Sequence, residues 1–134
     1  MRAIRRRDTK PELRLRSLLH GRGYRYRVDL PVRVPGYPRQ IRPDVAFTRV
    51  RLAVFLDGCF WHGCDCADGP RPTIKNGSYW LPKIAANRAR DARQTNALVA
   101  AGWRVLRFWG HESAEAAAAR VEAELRGGNE RPAD

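Results

Sequence analysis

The sixteen residues R-L-A-V-F-L-D-G-C-F-W-H-G-C-D-C, positions 51–66, change character at Asp57. Arg51 to Leu56 is one arginine followed by an unbroken apolar run, the pattern of a strand buried in the middle of a sheet. From Asp57 to Cys66 the chain turns to cysteines, a histidine, acids and two large aromatics, a composition for a working loop rather than a core. Just upstream, Pro43-Asp44-Val45-Ala46-Phe47 reads as a second strand, and the residues between the two suffice only for a turn. In an antiparallel hairpin the start of one strand lies beside the end of its partner. That pairing brings Asp44 and Asp57 to the same sheet edge.

Working outward, Thr9-Lys10-Pro11-Glu12 opens a helix, with Thr9 as cap, Pro11 in the first turn and Glu12 at the capping-box position. Leu13, Leu18 and Leu19 supply its apolar stripe, and the spacing predicts a helix over about 10–20, stopped by His20-Gly21-Arg22-Gly23. Tyr24 to Val28 alternates with period two, as a half-exposed strand does, and Pro31 to Pro38 is punctuated as a loop. Beyond a Gly/Pro-rich connector, Ser78 and Pro82 open a helix over about 79–101 that Gly102 ends. Trp103 to Trp109 reads as a strand and Glu112 to Arg126 as an Ala-rich helix. The tail, residues 127–134, reads as disordered, leaving a single domain over 1–126. The order helix, three strands, helix, strand, helix defines an α/β (α+β) fold, a small mixed sheet flanked by helices.

The chain carries a net charge of +12, and the excess is uneven: residues 1–51 hold 15 Arg or Lys against 4 acids, the remainder 11 against 10. Arg outnumbers Lys by 23 to 3, which genome composition can explain, but composition does not explain the asymmetry. A basic field confined to one part of the chain suits a polyanion-binding face, nucleic acid before an anionic membrane surface or an acidic protein. No apolar run reaches the length of a membrane span, and M-R-A-I-R-R-R-D lacks the apolar segment of a secretory signal, so the expected location is the cytoplasm.

Cys59, Cys64 and Cys66 are odd in number, Cys64 and Cys66 one residue apart would close a strained ring, and the cytosol disfavours disulfides. Three thiolates with one imidazole make a tetrahedral zinc site. The fourth ligand is His62, inside the loop, or His111, just after the last strand; His111 constrains more of the unfolded chain and leaves His62 free, so it is the preferred choice. Asp44 and Asp57 suit Mg²⁺, with His62 placed to activate water or protonate a leaving group, and these groups beside a basic face point to phosphodiester hydrolysis. The alternative is structural: Asp44 starts a strand, Asp57 makes a turn with Gly58, and His62 is exposed or a ligand. Phe60 and Trp61 have the character of a wedge that opens base steps, while Trp80, Trp103 and Trp109 fall in regular elements and read as core. Asn87 and Asp91 share one face of the long helix at i, i+4, from which Asp91 can orient His62; the alternative is that both are ordinary polar residues of an exposed face.

The segments D-T-K-P-E, R-P-D, V-F-L-D-G-C-F-W-H-G-C, Y-W-x-x-K-I-x-x-N-x-x-R-D and G-W-R-V-L-R-F-W-x-H-E together resemble the very short patch repair (Vsr) endonuclease family over residues 1–112. The resemblance implies a restriction-endonuclease-like fold, a structural zinc, and Mg²⁺-dependent nicking of double-stranded DNA 5′ to the thymine of a T:G mismatch. It implies a bacterial enzyme acting as a monomer at the nucleoid, alongside other repair proteins and with no membrane partner. Position by position, it makes Asp44 the Mg²⁺ ligand, His62 the catalytic histidine and Glu12 an acid near the active site. The zinc ligands become Cys59, Cys64, Cys66 and His111, and the wedge becomes Phe60 and Trp61 with Met1 entering from the opposite groove. Asp57 stands where some members have histidine, which leaves it between metal ligand and base. Gly110 stands where members often have Glu, members usually carry an arm before the wedge methionine, and residues 66–78 match nothing in the family pattern. Two other readings fit the same residues: a less specific restriction-like or mobile-element nuclease, and a zinc-stabilised DNA-binding protein without catalysis.

Overall fold

Hydrogen bonding joins four strands into one sheet in sequence order: β1 (Arg27–Val28), β2 (Val45–Phe47), β3 (Leu52–Asp57) and β4 (Arg104–Trp109). The computed structural model describes residues 10–59, 64 and 76–130, with the backbone alone for 128–130. Strands β1, β2 and β3 run antiparallel in turn, with Val45 opposite Val54 and Phe47 opposite Leu52, as the hairpin reading requires. β4 lies parallel to β3, from Leu52 beside Arg104 to Asp57 beside Trp109, so the connection between them must cross over. The crossover contains α2 (Gly77–Ala100), and α1 (Lys10–Gly21) and α3 (Ala114–Glu130) complete a mixed α+β domain. Among the described residues no helix is long and apolar enough to cross a membrane.

Strand alternation sends side chains to two cores. Val45, Phe47, Leu52, Val54, Leu106 and Phe108 pack with Leu15 and Leu19 of α1 and with Val121 and Leu125 of α3. Ala53 and Phe55 meet Ala97 and Leu98 of α2 together with Val32, Val34 and Ile41 from the segment before β2. β3 is buried almost throughout, which is why its sequence shows no polar alternation.

Several boundaries differ from expectation for local reasons. The inward face of α1 is Glu12, Leu15 and Leu19, whereas Leu13 is 48% exposed. The helix ends in a Schellman pattern: Gly23 has φ 88°, its N–H bonds His20 O, and the Tyr24 N–H bonds Leu19 O. That turn spends the backbone of Tyr24 on the helix end, and the strand shortens to Arg27–Val28. α2 starts at Gly77, so Pro82 lies in the second turn. Ser113 Oγ accepts the Ala116 N–H and starts α3, which continues to Glu130, beyond the expected end at Arg126. Trp80, Trp103 and Trp109 are half-buried at the margins of the cores rather than within them.

Candidate active site and metal centre

The parallel register places Trp109 beside Asp57, and continuing it by two residues sets His111 beside Cys59. The Gly110 N–H donates to Asp57 O at 2.9 Å and holds the two chain ends together. The Cys64 N–H donates to Cys59 O at 2.9 Å, which holds the second cysteine beside the first. As a result His111 Nδ1 lies 3.3 Å from Cys59 Sγ and 3.6 Å from Cys64 Sγ. Zn–S and Zn–N bonds at tetrahedral angles place sulfur and nitrogen about 3.6 Å apart, so these three side chains, their ligand atoms all within 4.8 Å of one another, could hold one metal ion. Both cysteines are buried and His111 is exposed. His111, one of the two expected fourth ligands, is therefore in the cluster. Cys66 and His62 lie outside the described residues.

A second group of polar side chains occupies the same edge. Asp44 directly precedes β2, and its Oδ2 accepts the Leu56 N–H at 2.7 Å, a donor near the end of the β2–β3 ladder. Burial lifts the Asp44 carboxyl to about 7, and the charges of Glu12 and Asp57 act in the same direction, against the opposing Leu56 hydrogen bond and Arg16. Glu12 itself is 1% exposed and receives Arg16 Nη2 at 3.0 Å, so it is an interior acid of α1; Thr9, its capping-box partner in the sequence reading, lies outside the described residues. A half-buried carboxylate in a field of other acids is a site that a hard cation relieves. Asp44, Glu12 and Asp57 do not converge on one point, however: among the described residues the only group of three or more donors in mutual reach is Cys59, Cys64 and His111.

Asp57 has a different setting from Asp44. Arg107 Nη1 lies 3.1 and 3.3 Å from its two oxygens, Arg107 Nε donates to Thr95 Oγ1 at 2.7 Å, and Arg107 Nη2 donates to Asp91 O at 3.2 Å. The guanidinium also lies 4.1 Å from the Phe55 ring centre. One side chain thus fastens the end of β3, where the loop begins, to β4 and α2. Asn87 and Asp91 occupy half-buried positions on that helix, and the Asp91 carboxylate lies 3.6 Å from Arg90. Sequence reasoning missed Arg107. Its signal is a cation in the apolar run V-L-R-F-W, since a charge on a strand facing a helix needs a partner. Because the pair is mostly buried, with Arg107 at 21% and Asp57 at 11% exposure, Arg107→Met takes a close cation away from a mostly buried carboxylate. We expect it to lower stability by about 2–3 kcal/mol in urea unfolding, and Asp57→Asn combined with Arg107→Met to recover most of that loss. A loss in the double variant equal to the sum of the losses in Arg107→Met and Asp57→Asn would show that the two residues are not coupled.

Phe60, Trp61 and Met1 also lie outside the described residues. The family model for DNA mismatch endonuclease Vsr matches residues 1–68. The chain is 48% identical over 121 residues to the type II nicking enzyme V.NaeI of Lentzea aerocolonigenes, covering 90% of this chain and 71% of that one. It is 45% identical over 129 residues to the type II nicking enzyme V.XorIIP of Xanthomonas oryzae pv. oryzae, covering 94% and 86%. To the DNA mismatch endonuclease Vsr of Escherichia coli it is 42% identical over 109 residues, covering 81% and 65%. These likenesses define an endonuclease that acts on DNA. The chain belongs to the Vsr family.

Proposed function

We propose that this endonuclease nicks duplex DNA 5′ to the thymine of a T:G mismatch, by Mg²⁺-dependent hydrolysis, in very short patch repair. The observation that carries the reading is the shared edge: Asp44 and the Cys59, Cys64 and His111 cluster stand at the same end of β2, β3 and β4. The F-W-H step, residues 60–62, lies between two of those cysteines in the chain. We assign Asp44 to Mg²⁺, with Glu12 and Asp57 setting the field around it and Asp57 held back by Arg107. Cys59, Cys64, Cys66 and His111 hold the structural Zn²⁺. His62 moves the proton of the attacking water, Asp91 and Asn87 support it from α2, and Phe60, Trp61 and Met1 open the base step. Bound Mg²⁺ supplies charge stabilisation for the phosphate in attack. A loop anchored at its root spends little conformational entropy on opening the duplex, and a T:G wobble opens more cheaply than a Watson–Crick pair. In this reading the fold is restriction-endonuclease-like and the enzyme works as a monomer on the bacterial nucleoid.

The position of Asp44 gives this reading a pH signature. Its carboxyl titrates at about 7, and only the ionised form binds Mg²⁺. Below pH 7 the Mg²⁺ concentration for half-maximal nicking therefore rises about tenfold per pH unit, and above pH 8 it levels off. Because the folded pKa exceeds the unfolded one, the metal-free chain loses stability as pH rises through about 7, and added Mg²⁺ restores it most on the alkaline side. Mg²⁺ titrations at pH 6, 7 and 8 check both statements.

The description of several relatives as type II nicking enzymes favours a second reading, a nicking nuclease whose choice of site does not depend on the mismatch. Duplexes with and without one T:G pair, labelled on each strand in turn and incubated with Mg²⁺ or chelator, separate the two. A single Mg²⁺-dependent nick beside the thymine supports mismatch repair. Equal cutting of matched and mismatched duplexes supports the second reading.

A further inference from the structure

The segment between β1 and β2 reads in sequence as a connecting loop, but it is tied down at both ends. Val32 and Ile41 form an antiparallel bridge, with N–H to O distances of 2.7 and 2.8 Å, and both side chains are buried in the core beneath α2. Its tip lies against that helix: a Cβ on Gly36 would sit 3.6 Å from Ala97 Cβ, and Gln94 Nε2 donates to Tyr37 Oη at 3.4 Å. Between tip and helix runs a groove of about 700 Å³, lined by Tyr37 and Arg39 on one side and by Arg90, Arg93 and Asn96 on the other. Among the described residues three guanidinium groups line it and no carboxylate does. Arg90 lies 3.6 Å from Asp91, while Arg39 and Arg93 make no hydrogen bond or ion pair among the described residues. Both are exposed.

Its place in the fold relates this groove to the cutting edge. The tip segment returns to the sheet at Asp44, five residues after Arg39. On the other wall, Arg90 and Arg93 flank Asp91, whose carbonyl oxygen is bonded by the arginine that clamps Asp57. A cationic groove with an aromatic ring and an amide on its walls fits a deoxyribose-phosphate chain better than a protein surface, which would bring apolar anchors and its own cations. We propose that this groove grips the phosphodiester backbone of the duplex outside the step that is cut, adding affinity without taking part in the chemistry. The proposal rests on the reading of the chain as a nuclease acting on duplex DNA.

Duplex binding measured across salt concentrations, for the unmutated chain and for Arg39→Ala with Arg93→Ala, tests it. Each phosphate that the protein no longer neutralises lowers the slope of log affinity against log salt by about 0.9. The double variant should bind at least about tenfold more weakly at moderate salt, with its slope reduced by about one to two, as befits one or two phosphates left to their counterions. The effect should fall on the dissociation constant far more than on nicking at saturating duplex, and Lys at both positions should restore most of the slope. Arg120→Ala with Arg126→Ala, on α3, removes the same charge elsewhere and should change the slope much less. Equal effects from the two pairs would reduce the groove to general charge and overturn the proposal, as would an unaltered slope in the groove variant. Failure of the unmutated chain to bind duplex DNA would instead sink the nuclease reading on which the groove depends.

Discussion

Asp44→Asn should lower single-turnover nicking by at least about 10³-fold while duplex binding changes by less than about tenfold. The asparagine oxygen can still accept the Leu56 N–H that Asp44 accepts at 2.7 Å, so the edge of the sheet keeps its hydrogen bond. What disappears is the negative charge, and a neutral amide is a poor ligand for a hard divalent cation. Stability separates this loss from unfolding. Burial and the neighbouring acids make the ionised Asp44 unfavourable in the folded chain, so the metal-free variant should be at least as stable as the parent at pH 8. A more stable protein that binds DNA and does not cut it identifies the carboxylate with the chemistry. Nicking at the parental rate would remove Asp44 from the site.

Loss of the metal ligands should act in the opposite way, through the fold. Cys59 and Cys64 belong to the loop that follows β3, whereas His111 follows β4 at the far end of the α2 crossover, so one ion would tie together segments 52 residues apart. A crosslink over that much chain restricts the unfolded state strongly, and a structural zinc on which folding depends is worth on the order of 10 kcal/mol. Here two apolar cores carry part of the stability, so the domain should survive with a lower Tm. We expect His111→Ala or Cys59→Ser to lose one equivalent of bound zinc and to lower Tm by at least about 10 °C, a shift equivalent to a few kcal/mol for a domain of this size. Strong chelators should do the same to the unmutated chain. Zinc content by atomic emission and thermal melts by circular dichroism read both effects. An unchanged Tm after complete removal of zinc would leave the cysteine cluster without a structural role.

The parts of this fold that were legible in the sequence are those governed by local rules. The apolar run of β3, the short turn before it and the Gly102 stop are each set by neighbouring residues, and each stands where the pattern puts it. The cysteine spacing also carried far, since C-x4-C brings two thiols together and a strand end supplied the histidine. What was not legible depends on faces and registers that a single sequence leaves open. Leu13 looked like part of the buried stripe of α1, but Glu12 shares the inward face with Leu15 and Leu19, where Arg16 pairs with it. Arg107 has no evident role until the parallel register sets β4 beside β3 and its side chain reaches Asp57. The Tyr37 loop looks like a mere connection until its tip meets α2.

Under the proposed function two different metal ions serve one edge, a hard cation at Asp44 and a zinc at the Cys59, Cys64 and His111 cluster. Anomalous diffraction from crystals of the DNA complex grown with Mn²⁺ in place of Mg²⁺, recorded at the manganese and zinc edges, examines that claim directly. A manganese peak against the Asp44 carboxylate and a separate zinc peak between the two thiols and His111 is the outcome that follows from it. Zinc at Asp44, or manganese bound away from that carboxylate with the scissile phosphate in place, would show that the edge is organised in another way.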